Sequence, residues 1–130
     1  MEISGTAFEL SFSVTKELTA LTVGSGTLPV LATPVLAARL EECAWRAAAP
    51  SLPQGSSTVG THLDLKHLSP TPVGMNVICR AELASSEGRS LTFRLTAFDA
   101  SGPVCEGEHT RVIIQDERFL AKAAGKIKPD

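Results

Sequence analysis

Between Ala7 and Val14 apolar and polar residues alternate. Phe8, Leu10, Phe12 and Val14 fall on one phase, and Glu9, Ser11 and Ser13 on the other. A period of two marks a strand with one buried face, so this stretch predicts a β-strand. A loop follows, with Gly24-Ser25-Gly26 as its flexible centre and a bend at Pro29. Thr33-Pro34 then opens a helix. Thr suits the N-cap, and Pro suits the first helical position, whose N–H has no intrahelical partner. From Val35 to Ala49 the residues are good helix formers, many of them alanine, and Pro50 and Pro53-Gln54-Gly55-Ser56-Ser57 end the run. Four extended segments follow, at about 58–68, 76–84, 90–98 and 104–114. Ser69-Pro70-Thr71-Pro72 with Gly74, Ser85-Ser86-Glu87-Gly88 and Asp99-Ala100-Ser101-Gly102-Pro103 separate them with turn chemistry. Short turns join the last three strands and predict an antiparallel meander. Asp116 is expected to cap a short helix over 117–124, with Gly125 beyond its end.

One long helix must bury its apolar stripe against something, and five strands supply the cover. The pattern therefore predicts an α+β chain of the hotdog type. In it a five-stranded antiparallel sheet wraps around one long central helix, with a short C-terminal helix appended. At 130 residues the expectation is a single domain over 1–130.

Composition narrows the function classes. Hydrophobic residues make up 43% and charged residues 20%, a globular balance, and the formal net charge is -2. That balance carries no basic footprint for nucleic acid. The charge-free run from Leu18 to Ala38 is broken by Gly24, Gly26, Pro29 and Pro34, so no membrane span is expected. Met1-Glu2-Ile3-Ser4-Gly5 lacks the basic and apolar regions of a secretory leader. Cys43, Cys79 and Cys105 are widely spaced with no CxxC, which suits reduced thiols in a cytoplasm and no zinc site.

On a helical wheel Leu36, Leu40, Cys43, Ala44 and Ala47 form the apolar arc, while Arg39, Glu42 and Arg46 cluster opposite. Glu41 joins neither group and lies beside Ala37, Ala44 and Ala48 at the margin of the arc. A carboxylate there needs partners, so it either pairs with a cation at the rim or serves chemistry. In the strand at 58–68, strict alternation puts Val59, Thr61, Leu63, Leu65 and His67 on one phase and Gly60, His62, Asp64 and Lys66 on the other. His67 is then the histidine that meets the helix, as either a structural or a working residue. His62, Asp64 and His67 point to different faces and make a poor metal site. The Thr33 hydroxyl is sufficiently explained as a cap, and His109 reads as a rim residue. Cys43 and Cys79 read as small buried residues. No GxSxG, phosphate loop or dinucleotide fingerprint occurs.

Three stretches carry a family resemblance. They are Leu31-Ala32-Thr33-Pro34 through Glu41-Glu42-Cys43-Ala44-Trp45, Ser57-Thr58-Val59-Gly60-Thr61 through His67, and Thr71-Pro72-Val73-Gly74. With Gly107-Glu108-His109-Thr110-Arg111 and Phe119-x-x-Lys122, the chain resembles the fluoroacetyl-CoA thioesterase-like branch of hotdog acyl-CoA thioesterases. The resemblance implies hydrolysis of a short or small acyl-CoA by a triad of Thr33, Glu41 and His67. It assigns the Gly60 N–H to the thioester oxygen. It implies no cofactor beyond the CoA of the substrate, and a homodimer or dimer of dimers with sites at the interface. Where the family's fluoroacetyl enzyme carries a pair of phenylalanines ahead of the helix, this chain reads Gly24-Ser25-Gly26-Thr27, which leaves the acyl preference open. Thr33 and Glu41 stand about 12 Å apart along an ideal helix, so they act together only if Thr33 lies off the helix axis, if the substrate bridges them, or if one comes from a partner subunit. The rival readings are a hotdog hydratase or dehydratase, and a non-catalytic acyl-CoA or small-ligand binder. Release of free CoA thiol separates the hydrolase from both.

Overall fold

The computed structural model describes residues 6–127, and Met1–Gly5, the stretch not expected to form a secretory leader, lie outside the described residues. Strand β1 (Ala7–Ser13) is followed by a four-residue helix α1 (Ala20–Val23), the long helix α2 (Thr33–Ala48) and strand β2 (Ser56–His67). Strands β3 (Asn76–Glu87), β4 (Ser90–Asp99) and β5 (Gly102–Gln115) then lead to helix α3 (Asp116–Ala124). The five strands form one sheet in the order β1-β3-β4-β5-β2, and every neighbouring pair is antiparallel. This is the expected hotdog arrangement, with β3-β4-β5 as the meander.

The alternation of β1 places Phe8, Leu10 and Phe12 against the core. Helix α2 buries Leu36, Leu40, Cys43, Ala44, Ala47 and Ala48, the arc expected from the wheel extended by one alanine. It packs chiefly across β3 and β1 and only lightly on β2 and β5. The sheet face at the β5–β2 end is therefore incompletely covered by the chain's own helix. Opposite the arc, Glu42 pairs with Arg39 at 3.3 Å and Arg46 at 3.0 Å. The two guanidiniums also lie over Phe12 and Phe8.

Several local expectations are corrected. Thr33 is the first residue of α2 and not its cap; Ala32 holds that position, and no side chain caps the helix. The residues preceding α2 include α1, whose cap is Thr19, accepting from the Thr22 N–H. Strand β3 continues to Glu87 and turns only at Gly88 and Arg89, where Gly88 takes a φ of 61° that a branched side chain resists. Asp116 begins α3 without capping it. The largest departure lies in β2. Its pairing with β5 slips between Gly60 and His62, leaving Thr61 as a bulge residue. A bulge reverses the phase of everything beyond it. Ahead of it Thr58 and Gly60 face inward, opposite Ile113 and Arg111; beyond it Leu63, Leu65 and His67 do, opposite His109, Gly107 and Cys105. Val59 therefore does not share a face with His67, although His67 still points inward and His62 outward.

Candidate active site

Two clusters of polar side chains line the inner face near β2. The first joins the start of α2 to the end of β2. The Thr33 hydroxyl and His67 Nδ1 lie 2.8 Å apart. Because Thr33 is not spent on capping, its hydroxyl is available to hold the imidazole. His67 Nε2 is buried and has no hydrogen-bond partner among the described residues. Partial burial keeps the His67 pKa below the ordinary 6.5, because desolvation disfavours the imidazolium.

The second cluster surrounds Glu41, eight residues further along α2. Its Oε2 lies 3.8 Å from Arg111 Nη1 and 4.0 Å from His109 Nε2. Arg111 is only 7% exposed and is held on three sides. Its Nε donates to the Thr58 hydroxyl and its Nη2 to the Thr58 carbonyl, each at 2.8 Å. Its Nη1 donates to His109 Nε2 at 3.1 Å. A guanidinium has no acceptor, so His109 Nε2 must carry the lone pair. The proton then sits on Nδ1, which donates to the His62 carbonyl at 2.7 Å. His109 is thus a neutral imidazole, and its 4.0 Å approach to Glu41 is not an ion pair. Burial is the main cause of its lowered pKa, and the Arg111 charge adds to it. Burial also lowers the Arg111 pKa, against the pull of Glu41.

Gly60 completes this second cluster. A Cβ built there meets His109 Cε1 at 3.0 Å, Glu41 Oε2 at 3.1 Å and Arg111 Nη1 at 3.4 Å. The missing side chain is what lets the carboxylate lie against the strand. The Glu41 side chain nevertheless remains 40% exposed, so it is anchored and still open to solvent.

The structure thus brings Thr33 to His67 and Glu41 to Gly60, while the helix separates the two pairs by about 12 Å along its axis. His109, expected at the rim, is 1% exposed and stands in the site with Arg111. The signal for both was present: Cys105, Gly107, His109, Arg111 and Ile113 fall on one strand phase. The three thiols are buried, and burial raises them to about 11 for Cys43 and Cys105 and about 12 for Cys79. They offer no thiolate nucleophile. Among the described residues no group of His, Cys, Asp and Glu is placed to hold a metal ion. Among the described residues no helix is long and apolar enough to cross a membrane.

Residues 14–117 match the family FlK, fluoroacetyl-CoA-specific thioesterase. A fluoroacetyl-CoA thioesterase from Streptantibioticus cattleyicolor is 38% identical over 97 residues, covering 75% of this chain and 70% of that one. The crystal structure of the fluoroacetyl-CoA thioesterase FlK is similar with a TM-score of 0.89 at 32% identity, covering 98% of this chain and 99% of the other. A thioesterase superfamily member from Thermus thermophilus, at 24% identity and a TM-score of 0.86 over 94% and 90% of the two chains, shares the fold.

Proposed function

The chain belongs to the FlK family of fluoroacetyl-CoA-specific thioesterases, and on that footing we propose that it hydrolyses a short or small acyl-CoA with Thr33, Glu41 and His67 as catalytic residues. The Gly60 N–H serves as the donor to the thioester oxygen. One observation carries this reading: Glu41 is anchored between Arg111 and Gly60 while staying open to solvent. A carboxylate meant only for structure has no need of that exposure, and one meant only for solvent has no need of that anchor.

The proposed chemistry uses those positions directly. Glu41 activates a water molecule or attacks the thioester carbonyl itself, and either route needs its anion. With water, the oxygen adds to the carbonyl carbon and its proton passes to Glu41. The Gly60 N–H takes the charge that develops on the carbonyl oxygen. The C–S bond then breaks, and the proton reaches the departing thiolate through His67, which Thr33 orients. The products are a free acid and CoA thiol, with no cofactor consumed.

The two clusters work together across a homodimer or dimer of dimers, in which β2 pairs antiparallel with β2 of a second copy. Strand β2 is an edge of the sheet, and its centre from Gly60 to Asp64 is exposed. An unpaired edge of that length is a pairing template. Such pairing sets the His67 end of one copy beside the Thr58 and Arg111 end of the other. We further take residues 1–130 to act as one domain and, from the reduced thiols, to work in the cytoplasm.

The test is thiol release from acyl-CoA by paired variants. Glu41→Gln keeps the shape and removes the basicity, and turnover is expected to fall roughly 10²–10⁴-fold. Glu42→Gln breaks only the surface pairs with Arg39 and Arg46, and turnover is expected to stay near that of the unaltered chain. Equal rates for the two variants would overturn the assignment of Glu41.

A further inference from the structure

A cavity of about 450 Å³ opens between the C-terminal end of α2 and the first residues of β2. Its walls include Trp45, Leu52 and Pro53, with Gln54, Thr58 and Arg111 among its polar lining. That volume and that mixture of an apolar wall with a few fixed polar groups are the features of a small-molecule pocket, roughly 300–1,000 Å³. Two observations tie it to the reacting centre. Arg111 is shared: the side chain that lines the cavity is the one 3.8 Å from the Glu41 carboxylate. Trp45 follows Glu41 by one helical turn and so extends along the same side of α2. The Trp45 side chain is not idle core, because it is 44% exposed, with the Arg46 guanidinium 5.2 Å from its ring centroid. A larger hollow of about 640 Å³ on the opposite face of the sheet, lined by Asp64, Lys66, Arg94, Glu106 and Glu108 among others, contains none of the site residues.

We propose that the cavity beside Trp45 is the acyl pocket, and that among small acyl groups it takes a flat aromatic one packed on the indole. The inference rests on the thioesterase reading above and names the substrate class of that same site. A two-carbon acyl group would leave most of the cavity empty. Trp45, Leu52 and Pro53 give the cavity an apolar wall on which a ring can pack, and Gln54, Ser56, Ser57 and Thr58 supply its polar lining. Arg111 already spends donors on Thr58 and His109, so it closes one side of the pocket without demanding an anionic acyl group.

The experiment measures thiol release from acetyl-CoA and phenylacetyl-CoA by the native oligomer of the full chain and by Trp45→Ala, Trp45→Phe and Leu52→Trp, with melting followed for each. The unaltered protein is expected to favour phenylacetyl-CoA in kcat/KM by about tenfold or more, the scale of discrimination an apolar pocket supplies. Trp45→Ala, which removes the wall, is expected to lower that ratio about tenfold, and Trp45→Phe to retain it. Leu52→Trp, which fills the cavity, is expected to lower it as well, and it decides the matter if Trp45→Ala does not fold. A preference for acetyl-CoA in the unaltered protein, or a ratio that neither Trp45→Ala nor Leu52→Trp moves, overturns the pocket while the hydrolase stands. Absence of thiol release from phenylacetyl-CoA alone overturns the pocket, whereas absence from a panel of short, branched and aromatic acyl-CoAs overturns the hydrolase reading and the pocket with it.

Discussion

At the residue scale Thr33 shows how one hydroxyl can be explained correctly and placed wrongly. Its position before Pro34 reads as a cap, yet Ala32 takes that place and the hydroxyl turns to His67. A cap would cost about 1 kcal/mol of stability when lost. Thr33→Ala instead removes the hydrogen bond to His67, a stability cost of about 0.5–1.5 kcal/mol, so the rate is the deciding readout. The substitution should lower turnover about tenfold, the worth of one orienting hydrogen bond, while Thr33→Ser restores it. A melting loss without a rate loss would return Thr33 to a structural role. The histidines give a second expectation. His67 and His109 both titrate below 6.5 in the folded chain because burial disfavours their charged forms. Near and below pH 6.5 the unfolded chain binds protons that the native state refuses, so stability falls as the pH falls through that window. Melting temperatures measured from pH 7.5 down to 5.5 should decline. His109→Gln, which keeps a donor for His62 and an acceptor for Arg111 without titrating, should decline less steeply. An equal slope would show that His109 is not one of the groups responsible.

At the element scale the single long helix and the strands were legible because each carries a strong period. Phe8, Leu10 and Phe12 alternate, and Leu36, Leu40, Cys43 and Ala44 follow a helical stripe. What periodicity cannot show is a single-residue bulge, since the residues on both sides keep alternating perfectly. In β2 that one residue, Thr61, decides whether Gly60 faces Glu41 or solvent. His109 reads as a rim residue for a related reason. Polar neighbours at Glu108 and Arg111 make β5 read as mixed, whereas the inward phase from Cys105 to Ile113 is continuous and its polar members satisfy one another. The β2–β5 pairing also depends on Gly107. A Cβ there would collide with the Asp64 carbonyl and come within 2.9 Å of Leu65 Cδ2. Since the collision is with backbone, Gly107→Ala is expected to destabilise the fold by about 1–3 kcal/mol, the usual cost of overpacking. Thermal melting checks it, and an unchanged midpoint would show that β2 moves aside without cost.

At the scale of the whole molecule the sequence singles out candidate residues but not how they meet. Thr33, Glu41, His67 and Gly60 are the candidates that the pattern and the resemblance name. Their division into two clusters appears only in three dimensions, because Thr33 and Glu41 ride the same rigid helix. No side-chain rearrangement within one chain shortens that helix. Within one copy His67 also lies about 20 Å along β2 from Gly60, at roughly 3.4 Å per residue less the bulge. Antiparallel pairing of β2 with a second copy, centred near Thr61 and His62, sets the second His67 opposite Ser56, close to Thr58 and Arg111. Each site would then draw Glu41 and Gly60 from one subunit and Thr33 and His67 from the other. Complementation tests this directly. Glu41→Gln and His67→Ala are each expected to be nearly inactive as homodimers. In a mixed dimer of the two, shared sites would place both lesions in one site and leave the other intact. Purified heterodimers, isolated with two different affinity tags, should then recover about half the turnover of the unaltered dimer. If each site were built within one subunit, every site in the mixed dimer would carry a lesion and no activity would return. That outcome, or a stable active monomer in light scattering at micromolar concentration, would remove the shared site.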